Sequence, residues 1–449
     1  IQTIAGFALI SSLYLIYNLS SYLVLSSSIA ASILVYFFIS LIGHPSQKHG
    51  LPFPVLMRMS MGLNGARYLS LLRSIVGIFM FGIQTYFISK SITYLTRIII
   101  YYIFDPQILE NEFVLQFFLG LNVIDWFSLI VTFFIQFFLF TNGQRYNQGF
   151  LKFSAIFVYF GLIFFFIMLI AENSTQIFQS LKSNTTSTDL ISKSNVMPFF
   201  ILTGTIFSYF SIVLLNYGDF SRYVKTSRDL KIGNLFLFLN MIIFSFLATT
   251  IVIGVDVLLN QKLIVVDQIM TKPMDIIGKI DNVYLTVYAL IFIIFSSLST
   301  NLITNYVPTQ NSIINFLPKN LDLKSAGILI LIFGLITGSL WPSILSQIEI
   351  IKLIDSLAAF FGPIFGVIIA DYYLVKREKV NHKDLFFIRP ENEYIYSGGW
   401  NYKAVYAVLI GFIFSFSIIW NINFEDFKTY SWIIGFVVSY IMYYLLNEK

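Results

Sequence analysis

Cysteine is absent from the 449 residues, which removes both a disulfide framework and any thiolate metal site. Charge is scarce as well. Asp, Glu, Lys and Arg make up 11% of the chain, against about 25% in a soluble domain. So few charges cannot coat a water-facing surface at this length. Histidine occurs only as His44, His49 and His382, and each is expected in a loop outside the apolar segments. The sequence holds no H-E-x-x-H and no paired carboxylates inside an apolar run. The convergent acids, bases or metal ligands that a membrane-embedded enzyme needs are therefore missing.

What is abundant is apolar: 57% of the residues are hydrophobic, with 49 Phe. A membrane span needs about 20 apolar residues. One partial span is expected at 1–17, and full spans at 21–43, 67–97, 124–141, 151–171, 198–217, 232–255, 283–305, 325–342, 351–374, 403–420 and 429–446. The opening run, IQTIAGFALISSLYLIY, lacks the basic start and small-residue cleavage site of a signal peptide. It reads as the second half of a helix.

The formal net charge of +5 raises nucleic-acid binding as a reading, but the basic residues fall in short loops between spans. With the start of the chain on the cytoplasmic side, most of them, including Arg58, Arg145, Arg222, Lys225, Lys376 and Arg377, lie inside. That is the positive-inside bias of a membrane protein. The expectation is a multi-pass protein of the cell (inner or plasma) membrane with both termini cytoplasmic. It should work as a monomer in the lipid bilayer, with no nucleic-acid partner.

A polar group in hydrocarbon must find a partner and often marks a pathway. Three spans stand out for such groups. Gln84 sits near the middle of 67–97; a lone amide can also be glue between helices. The span 283–305 crowds Ser296, Ser297, Ser299, Thr300, Asn301, Thr304 and Asn305 into one half. Ser296, Ser299 and Thr300 share a face by their i, i+3, i+4 spacing, and such oxygens suit a small hard cation such as sodium; a hydroxyl-rich packing face is the plainer alternative. Asn305, five residues past Thr300, points elsewhere on the helix. In 198–217, Gly204, Ser208 and Ser211 interrupt an apolar run that closes on Asn216 and Asp219. Interrupted helices near the midplane are where transporters place substrates, and Ile1-Gln2-Thr3-Ile4-Ala5-Gly6 is a similar polar break. An ordinary helix softened by serines is the other reading of 198–217. Asp219 and Asp371 fall at cytoplasmic helix ends. Lys90, near the outer end of 67–97, is expected to snorkel toward the interface.

Five segments in order then resemble one family. They are Gly50-Leu51-Pro52-Phe53-Pro54-Val55 with Arg58, Met61-Gly62, Gly65-Ala66 and Arg73; Phe81-Gly82-Ile83-Gln84-Thr85; Asn216 through Tyr223; Ser299-Thr300-Asn301 with Asn305; and Gly362-Pro363-Ile364-Phe365-Gly366 followed by Ala370 through Arg377. Together they resemble the nucleobase–cation symporters, which carry purines, pyrimidines, hydantoins and allantoin. Ile1-Gln2 resembles a first-helix break in the hydantoin-permease branch.

The resemblance implies an all-α integral membrane protein with a LeuT-like fold, about 12 transmembrane helices in two inverted five-helix repeats plus two C-terminal helices. The repeats would be 1–171 and 198–376 within a core 1–376, followed by a cytoplasmic loop and two helices at 377–449. It implies sodium ligands from the Ile1 and Ser296 carbonyls and the Ser299 and Thr300 hydroxyls, and substrate contacts from Gln2, Gln84 and Asn305. Met80 and Phe210 stand where a hydantoin-carrying member has two tryptophans that sandwich a flat ring. The implied function is sodium-coupled import of a nucleobase-like heterocyclic or ureide compound. The alternatives are proton coupling for another small amide, heterocycle or vitamin, and a non-transporting receptor of the same fold.

Overall fold

The computed structural model describes residues 21–183, 193–261, 283–345, 350–386 and 392–448. Among these, no β-strand forms. The long helices are α1 (Ser21–His49), α2 (Phe53–Ile103), α3 (Val123–Thr141), α4 (Gln144–Ser183), α5 (Lys193–Asn216) and α6 (Ser227–Gln261), then α7 (Val283–Thr300), α8 (Val307–Phe316), α9 (Leu323–Leu340), α10 (Ile350–Ala370), α11 (Tyr402–Trp420) and α12 (Ser431–Asn447). Ten described helical stretches are long and apolar enough to cross a membrane, and Ala359–Val375 is a shorter apolar one. They fall where the eleven full spans were expected; the span expected at 1–17 lies outside the described residues. Phe138, Ile156, Phe160, Phe236 and Ile413 are each more than half exposed. In water this would be a penalty on every helix; in hydrocarbon it is the wetted face of a bilayer protein.

Local chemistry sets the helix ends. Asn122 accepts from the Asp125 backbone N–H at 2.9 Å while Asp125 accepts from the Asn122 N–H at 3.3 Å, a reciprocal cap that starts α3. Asp322 and Ser325 start α9 in the same way. α2 opens on Pro52 and is broken at Gly62, whose φ of +81° is a left-handed geometry that glycine alone adopts freely. A β-carbon there would stand 2.6 Å from the Gly399 carbonyl oxygen. The break lets the segment before α11 dock against α2: the Asn64 N–H donates to Gly399 O at 2.8 Å and the Asn401 N–H to Met61 O at 3.0 Å. The stretch Phe53–Met61, expected as loop, is therefore helical. α1 likewise runs past residue 43, so His44 and His49 lie in its last turns instead of a loop. His49 Nδ1 lies 3.0 Å from Nε2 of His382, which belongs to the short helix His382–Phe386.

The helices pack in groups. α1 lies along α5 and α6. α2 lies along α3, α7, α8 and α9. α4 spans from α6 to α7, and α10, α11 and α12 pack on one another. α1 and α2 touch each other only slightly. One body is thus built on α1 and one on α2; at the seam between them α4 bridges the two, and one apolar core takes side chains from each, such as Phe38 and Met57.

Candidate functional site

Gln84 on α2 faces the end of α7. There the chain leaves α-helical geometry for a π turn over Asn301–Tyr306 before resuming as α8. π turns are rare and cluster at functional sites. Asn305 Nδ2 donates to Gln84 Oε1 at 3.2 Å and to Asn301 Oδ1 at 2.8 Å. Both amide hydrogens of Asn305 are thereby used, which leaves its Oδ1 as acceptor and the Gln84 Nε2 as donor. Asn301 is fully buried, and its Nδ2 reaches Phe81 O at 3.3 Å and Thr85 Oγ1 at 3.4 Å. Thr85 Oγ1 lies 3.1 Å from Gln136 Oε1 on α3. A chain of neutral amides and one hydroxyl so runs from Gln84 back to Gln136. The part played by Asn301 was missed in the sequence. Its signal there was only its place in the polar crowd of 283–305, since a π turn is not visible as a pattern of residue types.

One turn earlier on α7, the hydroxyls of Ser299 and Thr300 both donate to the Ser296 carbonyl, each at 2.9 Å. The three oxygens expected to serve a cation are thus gathered. They are neutral and hard, and the hydroxyl protons point back into the helix, so the lone pairs are left for another partner. That donor set fits sodium better than a soft or divalent metal. Ile1 and Gln2 lie outside the described residues. Phe210 of α5 is buried in the larger apolar core and Met80 of α2 packs against the same core.

The expected interruption of 198–217 is not there: α5 is continuous from Lys193 to Asn216. Thr203, Thr205 and Ser211 bond back to the carbonyls of Phe199, Ile201 and Ser208 at 2.8, 2.8 and 2.6 Å, so the helix serves its own polar groups. Gly204 packs tightly, with an added β-carbon only 2.3 Å from Thr429 Oγ1. Lys90 does not snorkel free either. Its Nζ pairs with Asp125 at 2.9 Å, and Thr93 Oγ1 donates to the same carboxylate oxygen at 3.1 Å.

A second, charged network crosses the seam. Arg73 on α2 is 1% exposed. Its Nε donates to Asn216 Oδ1 at 2.6 Å and its Nη2 to Thr304 O, in the π turn, at 3.1 Å. Asn216 Nδ2 donates to Asp219 Oδ2 at 3.2 Å, and Asp219 Oδ1 accepts the Phe53 N–H at 3.1 Å. α2, α5 and α7 are tied through one guanidinium. Asp371, just past α10, is also buried, paired with Lys376 at 3.3 Å and accepting from Tyr443 OH at 2.8 Å.

Residues 4–441 match the family described as permease for cytosine/purines, uracil, thiamine, allantoin. The chain is 26% identical over 450 residues to an allantoin permease of Bacillus subtilis (strain 168), across 99% of this chain and 87% of that one. Its structure is similar to Mhp1, a nucleobase-cation-symport-1 family transporter solved closed with bromovinylhydantoin bound, at a TM-score of 0.71 and 16% identity over 99% of this chain and 88% of that one. It is also similar to a Na+-coupled sialic acid symporter, at a TM-score of 0.58 and 14% identity over 98% and 89%. The architecture is the LeuT-type transporter fold.

Proposed function

This chain belongs to the family of permeases for cytosine/purines, uracil, thiamine and allantoin, a transporter and not an enzyme, and on that footing we propose that it imports a nucleobase-like or ureide compound by sodium-coupled symport. The observation that carries this reading is the Gln84–Asn305 pair across α2 and the π turn. It offers one donor and one acceptor side by side. An imide or ureide edge presents the complementary carbonyl and N–H. Gln2 would add a third polar contact from the chain start. Met80 and Phe210 would supply the apolar walls. A methionine shapes itself to a puckered or extended ureide more readily than a fixed indole does, which favours allantoin-like cargo over a flat base. The allantoin permease relative is in keeping with that preference.

Sodium would be held by the Ser296 carbonyl and the Ser299 and Thr300 hydroxyls, with the Ile1 carbonyl from the chain start. One sodium moving down 100 mV yields about 2.3 kcal/mol, and a tenfold gradient about 1.4 kcal/mol more. Coupled one to one, this supports accumulation of roughly several hundredfold. Alternating access would come from rocking of the α1 body against the α2 body, within the repeats 1–171 and 198–376. The protein would act as a single copy, with both termini cytoplasmic.

The test is uptake into vesicles with allantoin, hydantoin and uracil as competing cargo, in sodium and in choline buffers. Uptake should require sodium, and Thr300→Ala should raise the sodium needed more than it changes uptake at saturating sodium. Equal uptake in both buffers with dependence on pH alone would overturn sodium coupling in favour of protons.

A further inference from the structure

A cavity of about 100 Å³ opens between α4, α6 and α7. Its polar lining is Ser154 and Tyr159 of α4, Asn240 of α6, and Ser299, Thr300 and Thr304 at the end of α7 and in the π turn. Ser154 is completely buried, yet its Oγ has no hydrogen-bond partner. The helix itself offers a remedy: Ser28, Ser74 and Ser128 each bond back to the carbonyl four residues earlier, at 2.8, 2.7 and 2.8 Å. Ser154 does not take it. A buried hydroxyl left unmade costs stability, and here it lines a polar cavity.

The opposite wall is in a complementary state. Ser299 and Thr300 give their protons to Ser296 O, and Thr304 gives its proton to Thr300 O at 2.9 Å. Three hydroxyl oxygens therefore turn lone pairs, not protons, toward other partners. No residue described on the cavity wall carries a charge, so nothing there favours an anion. A divalent cation would want carboxylates as well. The volume equals about three waters at roughly 30 Å³ each, room for one small monovalent cation with part of its hydration. Thr304 lies one turn beyond Thr300 toward α8, so the cavity extends the hydroxyl stripe of α7 lengthwise.

We propose that this cavity is a second sodium-binding subsite for the one coupling ion, occupied in alternation with the first, in which Ser154 Oγ and Thr304 Oγ1 join the shared hydroxyls of Ser299 and Thr300. The proposal rests on the sodium-coupled reading above. Ser154 lies on α4, a helix to which neither the sequence pattern nor the family resemblance gave a cation ligand.

The experiment is thermal unfolding of the purified transporter in lipid nanodiscs, titrated with sodium chloride against choline chloride at constant total salt. The chains compared are wild type, Ser154→Ala, Thr304→Val and Thr304→Ser. Ser154→Ala and Thr304→Val should each need about tenfold more sodium for half of the protection, a loss equivalent to about 1.4 kcal/mol. Thr304→Ser, which keeps the oxygen, should titrate as wild type. In choline alone, Ser154→Ala should unfold no earlier than wild type, because it removes only an unmade hydroxyl. If Ser154→Ala and Thr304→Val titrate as wild type while wild type responds to sodium, the cavity holds only water and the subsite falls alone. Equal destabilisation of Ser154→Ala in both salts would give Ser154 a packing role and overturn the proposal as well. Should Ser154→Ala not fold, the contrast of Thr304→Val with Thr304→Ser decides. A wild type indifferent to sodium overturns both the coupling and the subsite.

Discussion

Two buried polar networks lie along α2, and they differ in charge and in what they join. The upper one, Gln84–Asn305–Asn301–Thr85–Gln136, is neutral and stays within the helices packed on α2. The lower one, Arg73–Asn216–Asp219, contains an arginine and a carboxylate and reaches from the α2 body to the α1 body through the end of α5. An amide pair can exchange one hydrogen bond for another at modest cost. A guanidinium in a low-dielectric interior has no such latitude. The neutral network is thus suited to trading partners with a cargo, and the charged one to holding the two bodies in register.

The contrast can be broken most forcefully at Arg73. Arg73→Ala should cost about 2–6 kcal/mol of stability by leaving two buried acceptors, Asn216 Oδ1 and Thr304 O, without their donor at about 1–3 kcal/mol each, read as a drop in thermal midpoint and folded yield. If Arg73→Ala is tolerated as well as Asn301→Ala, the two networks are energetically alike and the distinction fails.

The next effect is at Gln84. Gln84→Leu should weaken cargo binding by about 1–3 kcal/mol while the amount of folded protein stays constant, as checked by equilibrium binding alongside a fluorescence size-exclusion profile. Unchanged affinity would make Gln84 an interhelical brace, like its neighbours Thr85 and Asn301, and would erase the functional half of the comparison.

The smallest effect belongs to an exposed pair that serves as a reference for both networks. Lys48 on α1 donates to Glu378 at 2.7 Å, with side chains 44% and 41% exposed. This hydrogen bond, and the charges of Lys48 and His44, hold the Glu378 carboxyl below its ordinary range. A carboxyl lowered in the folded state adds stability that is complete above its unfolded pKa and is lost as pH falls through the folded one. Lys48→Met should therefore cost at most about 1 kcal/mol at neutral pH, and the difference from wild type should vanish in acid. A larger or pH-independent loss would show that the α1 end is held by something other than this charge.

The spans were legible because hydrocarbon tolerates so few polar atoms that apolar runs mark them directly. That Ser296, Ser299 and Thr300 share a face was legible for a related reason: i, i+3, i+4 spacing survives into the helix unchanged, and both hydroxyls meet at Ser296 O. Gln84 stood out as a lone amide. What escaped the sequence were features made between helices or by backbone departures. Lys90 and Asp125 are 35 residues apart, and no periodicity links them. The helical stretch Phe53–Met61 was hidden by the Gly-, Pro- and Arg-containing composition that reads as a loop, although Gly62 confines the break to one residue. The serines of α5 misled in the other direction, because a Ser or Thr hydroxyl that bonds its own helix leaves no interruption.

The π turn has one further consequence. An α-helical turn advances about 100° per residue, and a π turn takes one residue more before its hydrogen bond closes. Asn301–Tyr306 thus stores one surplus residue in the wall of the site. Deleting one residue between Asn301 and Asn305 would remove that surplus, and Asn305 would swing by about 100° relative to Asn301 and lose Gln84. The proposed recognition face is thus set by chain length as much as by residue type: a single deletion would alter it without a single substitution at the site.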